Sequence, residues 1–193
     1  MYRRPKWHRR GRLVGAVVCL AACGHAAGAR AEVRPGDLAP DFTLPDIHDV
    51  EHTLSDFRGR VVLLDFIGYS CNPCILAAPA VEQIWQDFKA SGGFQALAVD
   101  MWNGRIFNVV GYIEATGTTF PVLRNAGLLQ DPSRYGIGVD NYLVIDADGI
   151  VRYTSVDEQS DPFNDAAIRS TIQTYLPVAV NTRTWGTIKG LYR

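Results

Sequence analysis

Cys71-Asn72-Pro73-Cys74 is the segment of this chain whose residue types and spacing can do the most chemistry. A cysteine acts through its thiolate, as nucleophile or as metal ligand. Two half-cystines three positions apart close almost no loop, so a disulfide between them constrains the unfolded chain little. A structural zinc site wants four ligands, and the chain has no second C-x-x-C. His48 and His52, the only histidines beyond residue 31, fall in a polar surface hairpin, where the plain reading is solvated side chains. Thiol–disulfide exchange remains. Cys71 is the expected attacking sulfur, exposed at a helix N-terminus that favours negative charge. Cys74, one helical turn further in, is the expected resolving sulfur. Resolution needs a base. Asp65 lies six residues before Cys71, inside a run that is apolar on both faces. A carboxyl buried there has its pKa raised by desolvation and can take the Cys74 proton. Pro73 stiffens the helix start. Tyr69 either shapes a docking groove or covers core, and Trp102 reads first as core packing.

The elements that must position these groups are legible from periodicity. Val61-Val62-Leu63-Leu64-Asp65-Phe66 reads as a buried strand, followed by a loop over Ile67–Ser70. The helix that follows carries Val81, Ile84, Trp85 and Phe88 on one face, kinks at Pro79 and stops at Ser91-Gly92-Gly93. Phe94–Val99 is the next buried strand, closed by Asp100. Ile106, Val109, Val110 and Ile113 mark a second helix, stopped near Gly117. Phe120–Leu123 reads as a short strand, and Arg134-Tyr135-Gly136 as a turn or short helix. Tyr142–Ile145 and Ile150–Tyr153 form a hairpin about Asp148-Gly149. Ala167, Ile168, Ile172, Tyr175 and Leu176 make the last helix, with Asp161-Pro162 as its start. Upstream, Phe42–Leu44 can pair with His52–Leu54 as an edge hairpin, and Ser55–Arg60 is turn-like. Strands alternating with helices and ending in a hairpin predict an α/β sandwich with a mixed central sheet. Ligand chemistry in such sheets sits at strand carboxyl ends, and Cys71 lies just past one.

Residues 1–31 read as an address. Basic residues from Arg3 to Arg12 precede the apolar run Leu13–Ala22, which is too short to span a bilayer as a helix. Ala29-Arg30-Ala31 fits a cleavage site, and Leu20-Ala21-Ala22-Cys23 resembles a bacterial lipobox with Cys23 as the lipidated residue; both readings stand. Residues 32–177 form the folded domain and 178–193 a tail of unassigned role. The location expected is the bacterial cell envelope, periplasmic or lipid-anchored, where disulfides persist. Of the 19 Lys/Arg, seven lie in residues 1–31, which leaves 12 against 20 Asp/Glu, a balance near −8. That argues against a nucleic-acid partner.

In order along the chain, several segments resemble the thioredoxin superfamily in its redoxin (AhpC/TSA) branch, among TlpA-like and ResA-like exported oxidoreductases. Gly36–Leu44 resembles G-x-x-A-P-D-F-x-L, and Leu54–Leu63 resembles L-x-x-x-x-G-K-x-V-L-V. Asp65-Phe66 with Ser70–Cys74 resembles D-F-W-A-x-W-C-x-P-C. Pro79, Phe120-Pro121-Val122, Tyr135-Gly136-Ile137 and Leu143–Gly149 match later landmarks. The resemblance implies a thioredoxin-like three-layer sandwich with an N-terminal β-hairpin extension. It also implies a redox-active Cys71–Cys74 disulfide with no further cofactor, and Asp65 in the place of the family's buried acid. Two departures stand out. Ile67 and Ser70 replace aromatic residues, and Asp140 stands where the cis-proline falls. Tyr69, Val139 and Asp140 become the expected substrate-docking residues. The activity implied is that of a thiol–disulfide oxidoreductase, most simply a disulfide reductase. It would act on protein or small-molecule disulfides through a mixed disulfide and be fed by a membrane electron donor of thioredoxin-reductase relay type. A copper-carrying relative is the alternative outside enzymology. A peroxiredoxin-like peroxidase is the other; its P-x-x-x-T/S-x-x-C motif fails at Leu64 and Gly68.

Overall fold

A computed structural model describes residues 32–128, 135–156 and 162–177. The signal segment with Cys23, the tail 178–193, Arg134 and Asp161 lie outside the described residues. The elements run β1 (Thr43–Pro45), β2 (Glu51–Thr53), β3 (Val61–Ile67), α1 (Asn72–Phe88), β4 (Phe94–Asp100), α2 (Ile106–Thr116), β5 (Val122–Leu123), β6 (Asn141–Ile145), β7 (Val151–Thr154) and α3 (Asp165–Tyr175). No helix among the described residues is long and apolar enough to cross a membrane.

The main sheet has the order β5-β4-β3-β6-β7. β3, β4 and β5 are parallel, and β6 and β7 join antiparallel, so the sheet is mixed as the sequence predicts. β3 is central and every residue in it is buried. Its alternation splits the core in two. Val61, Leu63 and Ile67 face the layer built by α1, α2 and α3. Val62, Leu64 and Phe66 face a second layer of Val33, Phe42, Leu44, Leu54 and Tyr135. Among the described residues that second layer is built by the N-terminal lead-in and hairpin, the 3-10 turn Leu54–Phe57 that follows them, and Ala126 and Tyr135 from later in the chain. Tyr135 holds it shut: its hydroxyl donates to the Pro40 carbonyl and its ring lies 5.4 Å from that of Phe66.

The two hairpins are built by one device. Asp46 accepts the N–H groups of His48 and Val50 and pairs with His52, while Asp146 accepts those of Asp148 and Ile150 and pairs with Arg152. In each, a strand-end aspartate caps its own turn and reaches the side chain six residues on. Burial pushes both carboxyls up, but these donors outweigh it and hold both below the ordinary range. His52 is therefore not the solvated side chain the sequence suggests: it stacks on Phe57 and bonds Asp46, whereas His48 is exposed.

α1 spans Pro79, which gives no N–H to the Ile75 carbonyl. Other departures are at element ends. β5 is shorter than Phe120–Leu123, because only Val122 and Leu123 pair with β4. α3 begins at Asp165 rather than at Pro162, because the Asn164 side chain accepts the Ala167 N–H and caps it there.

Candidate active site

Cys71 is the N-cap of α1, and Cys74 sits at the third helical position. The two sulfurs are bonded, with Cα atoms 5.3 Å apart. The Cys74 N–H points at the Cys71 Sγ at 3.3 Å, so the sulfur takes the place of a capping oxygen. A thiolate there is met by a backbone N–H and by the positive end of the helix. Pro73 occupies the first turn, where its missing N–H costs nothing. The sequence makes Cys71 the exposed sulfur. In the structure it is the more open of the pair but only 5 % exposed, against 1 % for Cys74, because Tyr69, Ile75 and Val139 pack around the cluster that contains both.

Asp65 is where the apolar run puts it, 2 % exposed in the middle of β3. Strand alternation turns its side chain to the face of the sheet that α1 covers. Its Oδ1 is buried without a hydrogen-bond partner. Burial pushes its carboxyl well above the ordinary range, and the charge of Asp140 adds to this. Two buried tyrosines stand beside it. Tyr142 of β6 is its direct cross-strand partner, and Tyr112 comes from α2. Burial, then Asp65, push both phenols far up, so both are O–H donors at any physiological pH.

The loop Gly68–Cys71 is held from the far side by β4. Asp100, fully buried, accepts the N–H groups of Tyr69, Trp102 and Gly104. Trp102 is 45 % exposed and lies against Gly68 and edge-on to Tyr69, with ring centroids 5.8 Å apart, so it flanks the loop and is not core. The reason is Asp100: its carboxylate turns the chain straight after β4 and leaves Trp102 outside. Gly68 has no room for a side chain, since a Cβ there meets the indole at 2.5 Å.

Val139 is half-buried and touches both halves of the core. Asp140 adopts φ 59° and gives its N–H to the Phe66 carbonyl at 2.7 Å. Its Oδ1 accepts the Tyr142 hydroxyl at 3.2 Å. The structure thus brings Cys71, Cys74, Tyr69 and Val139 into one cluster, on the face that also carries Asp65. Sequence reasoning left Tyr112, Tyr142 and Asp100 without a role. The strand-closing position of Asp100 was a signal for one of the three; the tyrosines needed the register.

The sheet order and the C-x-x-C pair at the head of α1 define a thioredoxin-like redox domain. Residues 35–154 match the model of the AhpC/TSA family, and the chain belongs to that family, in the redoxin branch of the thioredoxin superfamily. It is 33% identical over 149 residues to the thiol-disulfide oxidoreductase ResA of Geobacillus thermodenitrificans, covering 73% of this chain and 83% of the relative. The ResA of Geobacillus kaustophilus is also 33% identical, over 70% of this chain and 80% of the relative. A Chlorobium tepidum protein described as a candidate thiol:disulfide interchange protein DsbE superposes with a TM-score of 0.65 at 29% identity, over 76% of this chain and 100% of that one. With its bonded Cys71–Cys74 pair, the protein is a thiol–disulfide oxidoreductase.

Proposed function

We propose that the protein is an exported disulfide reductase that works through a mixed disulfide on Cys71. The observation that carries this reading is the pairing of a capped, helix-stabilised Cys71 sulfur with a buried, unpartnered Asp65 on the same face of the sheet. The Cys71 thiolate attacks a substrate disulfide, forming one S–S bond and expelling the first substrate thiolate. Cys74 then loses its proton to Asp65 and attacks Cys71. The Cys71–Cys74 bond forms, the bond to substrate breaks, and the substrate sulfur leaves reduced. Pro73 keeps the helix start fixed between these steps, and Tyr69, Val139 and Asp140 border the docking surface. Electrons return from a membrane donor, and residues 1–31 direct the chain to the cell envelope as a cleaved or lipidated precursor.

The test is the reduction potential of the purified protein, equilibrated against glutathione and dithiothreitol. A value at or below about −270 mV, that of thioredoxin, is expected for a reductase. A value towards about −120 mV makes it an oxidant and ends the reductase reading. A pair that binds cuprous ion and does not cycle makes it a copper carrier.

A further inference from the structure

Asp140 takes no part in these exchange steps, yet two hydrogen bonds hold it in place. It is a non-glycine residue in the left-handed region, φ 59°, a conformation that the short polar side chains of Asp and Asn tolerate best. Its N–H is tied to the Phe66 carbonyl at the end of β3. Its carboxylate is tied to the Tyr142 hydroxyl. Tyr142 in turn stands directly opposite Asp65 in the β3–β6 register, and such partners have Cβ atoms about 4.5–5.5 Å apart. Asp65, Tyr142 and Asp140 therefore form a row on the face that α1 covers. The inner end is a carboxyl that is 2 % exposed, with Oδ1 unpartnered. The outer end is half-buried and reaches water.

The groups that act on or stand beside Asp65 are Tyr142 from β6, Asp140 from the turn before it and Tyr112 from α2, and the Cys71–Cys74 pair of α1 lies on the same face of the sheet. Among the described residues no cation acts on Asp65 to offset Asp140. Two carboxyls so placed, with one buried and no counter-charge, cannot both ionise cheaply.

Resting on the exchange reading above, we propose that Asp140 is a positioning residue for the exchange proton: Asp65 and Asp140 share a single negative charge, and Asp140 is the member that passes the proton to water. In the resting pair the charge sits on Asp140 and the proton on Asp65. At the resolving step the charge moves inward as that proton passes outward, and Asp65 takes the proton of Cys74. The Cys74 sulfur bonds to Cys71, the Cys71–substrate bond breaks with its electron pair on the substrate sulfur, and that thiolate takes a proton from water. The acid pair, now neutral, returns one proton to water from Asp140. Protons and electrons balance with no further reagent.

The test is a carboxyl ¹³C NMR titration of Asp65 in the oxidised protein, where neither thiol titrates, in wild type and Asp140→Asn. Asparagine keeps the left-handed backbone and an oxygen for the Tyr142 hydroxyl, and removes the charge. The Asp65 midpoint is expected to fall by roughly one pH unit, the low end of what a like charge at a shared site produces. The midpoint of the pH profile for insulin reduction is expected to fall with it. An Asp65 midpoint that stays at the wild-type value overturns the proposal, and so does a midpoint that moves while the reduction profile does not. Tyr142→Phe, which keeps both carboxyls but releases Asp140, is expected to give a smaller fall; no change in Asp65 there, with Asp140→Asn misfolded, also overturns it. The NMR titration needs no turnover. A protein that reduces no disulfide while its Asp65 midpoint moves therefore fails as an oxidoreductase but still contains the acid pair.

Discussion

Asp65 and Asp100 are the same side chain at nearly the same depth on neighbouring strands, and the fold treats them in opposite ways. Asp65 is 2 % exposed and Asp100 0 %. Asp100 accepts three backbone N–H groups, from Tyr69, Trp102 and Gly104, and by doing so fixes both loops that flank the cysteine pair. Asp65 has a buried Oδ1 with nothing to accept, and α1, Tyr112 and Tyr142 close over it. The first carboxylate is architecture, since its lost hydration is replaced by donors. The second is a desolvated acid whose cost the rest of the fold carries, and burial pushes its carboxyl well above the ordinary range. Depth alone says nothing about the role of a buried acid. The donors around it do.

Replacing each acid breaks or sharpens that contrast most strongly. Asp65→Leu is expected to raise stability by about 1–3 kcal/mol, because an unpartnered buried polar group is exchanged for an apolar one of similar size. It is expected to slow disulfide exchange by roughly 10²–10⁴-fold, the range of a lost general base. Neither neighbour is orphaned by the change, since Tyr142 bonds Asp140 and Tyr112 bonds Thr118. Asp100→Ala is expected to do the reverse on stability, with a loss of about 1–3 kcal/mol, because it strands the buried Gly104 N–H and leaves the part-buried donors of Tyr69 and Trp102 without their acceptor. Urea denaturation and insulin reduction measure both. Two destabilised variants would mean that Asp65 has a partner after all.

The contrast has a second, smaller signature in pH. The folded Asp65 carboxyl lies above its unfolded value, so the folded state holds the proton more tightly. Its contribution is complete below the unfolded pKa of about 4 and is lost as pH rises through the folded value, with a slope of up to about 1.4 kcal/mol per pH unit. Asp46 and Asp146 lie below their unfolded values, so what they contribute is complete above about pH 4 and is lost as pH falls through their folded values. Wild type is therefore expected to lose stability from pH 4 upward. Asp65→Leu should flatten that limb and leave the acid limb unchanged, as read by denaturant midpoints across pH.

The parts of this site that a sequence can show are the local ones. Val61–Phe66 is apolar at every position but one, so Asp65 reads as buried without any structure, and the C-x-x-C with Pro73 reads as a helix start. The Asp148-Gly149 turn fixes the hairpin that delivers β6. What could not be read depends on pairing. That Tyr142 stands opposite Asp65 follows from a register between strands more than seventy residues apart. That Asp140 is tied inward follows from one left-handed residue and its bond to Phe66. His52 was legible in principle, since Asp46 and His52 repeat the six-residue spacing of Asp146 and Arg152, but one spacing shows nothing until both are seen to cap a turn. Sequence alone leaves Trp102 between core packing and lining the site, because nothing local shows which way the chain turns after Asp100. The three-donor cage of Asp100 ejects it.

The smallest expected effect concerns that ejected ring. If the Asp100 side of the loop is architecture, Gly68 and Trp102 should be coupled through sterics alone. A Cβ on Gly68 meets the Trp102 ring at 2.5 Å, so Gly68→Ala must move the indole. The ring is 45 % exposed and can swing outward, which places the cost near the low end of overpacking, about 1 kcal/mol. Trp102→Ala removes the obstacle. In the double variant the alanine at Gly68 should therefore cost less than it does alone, giving a coupling of about 0.5–1 kcal/mol in a double-mutant cycle. Strict additivity would mean that Gly68 is required by its backbone and not by the indole, and Trp102 would then be free of the loop and available to substrate alone.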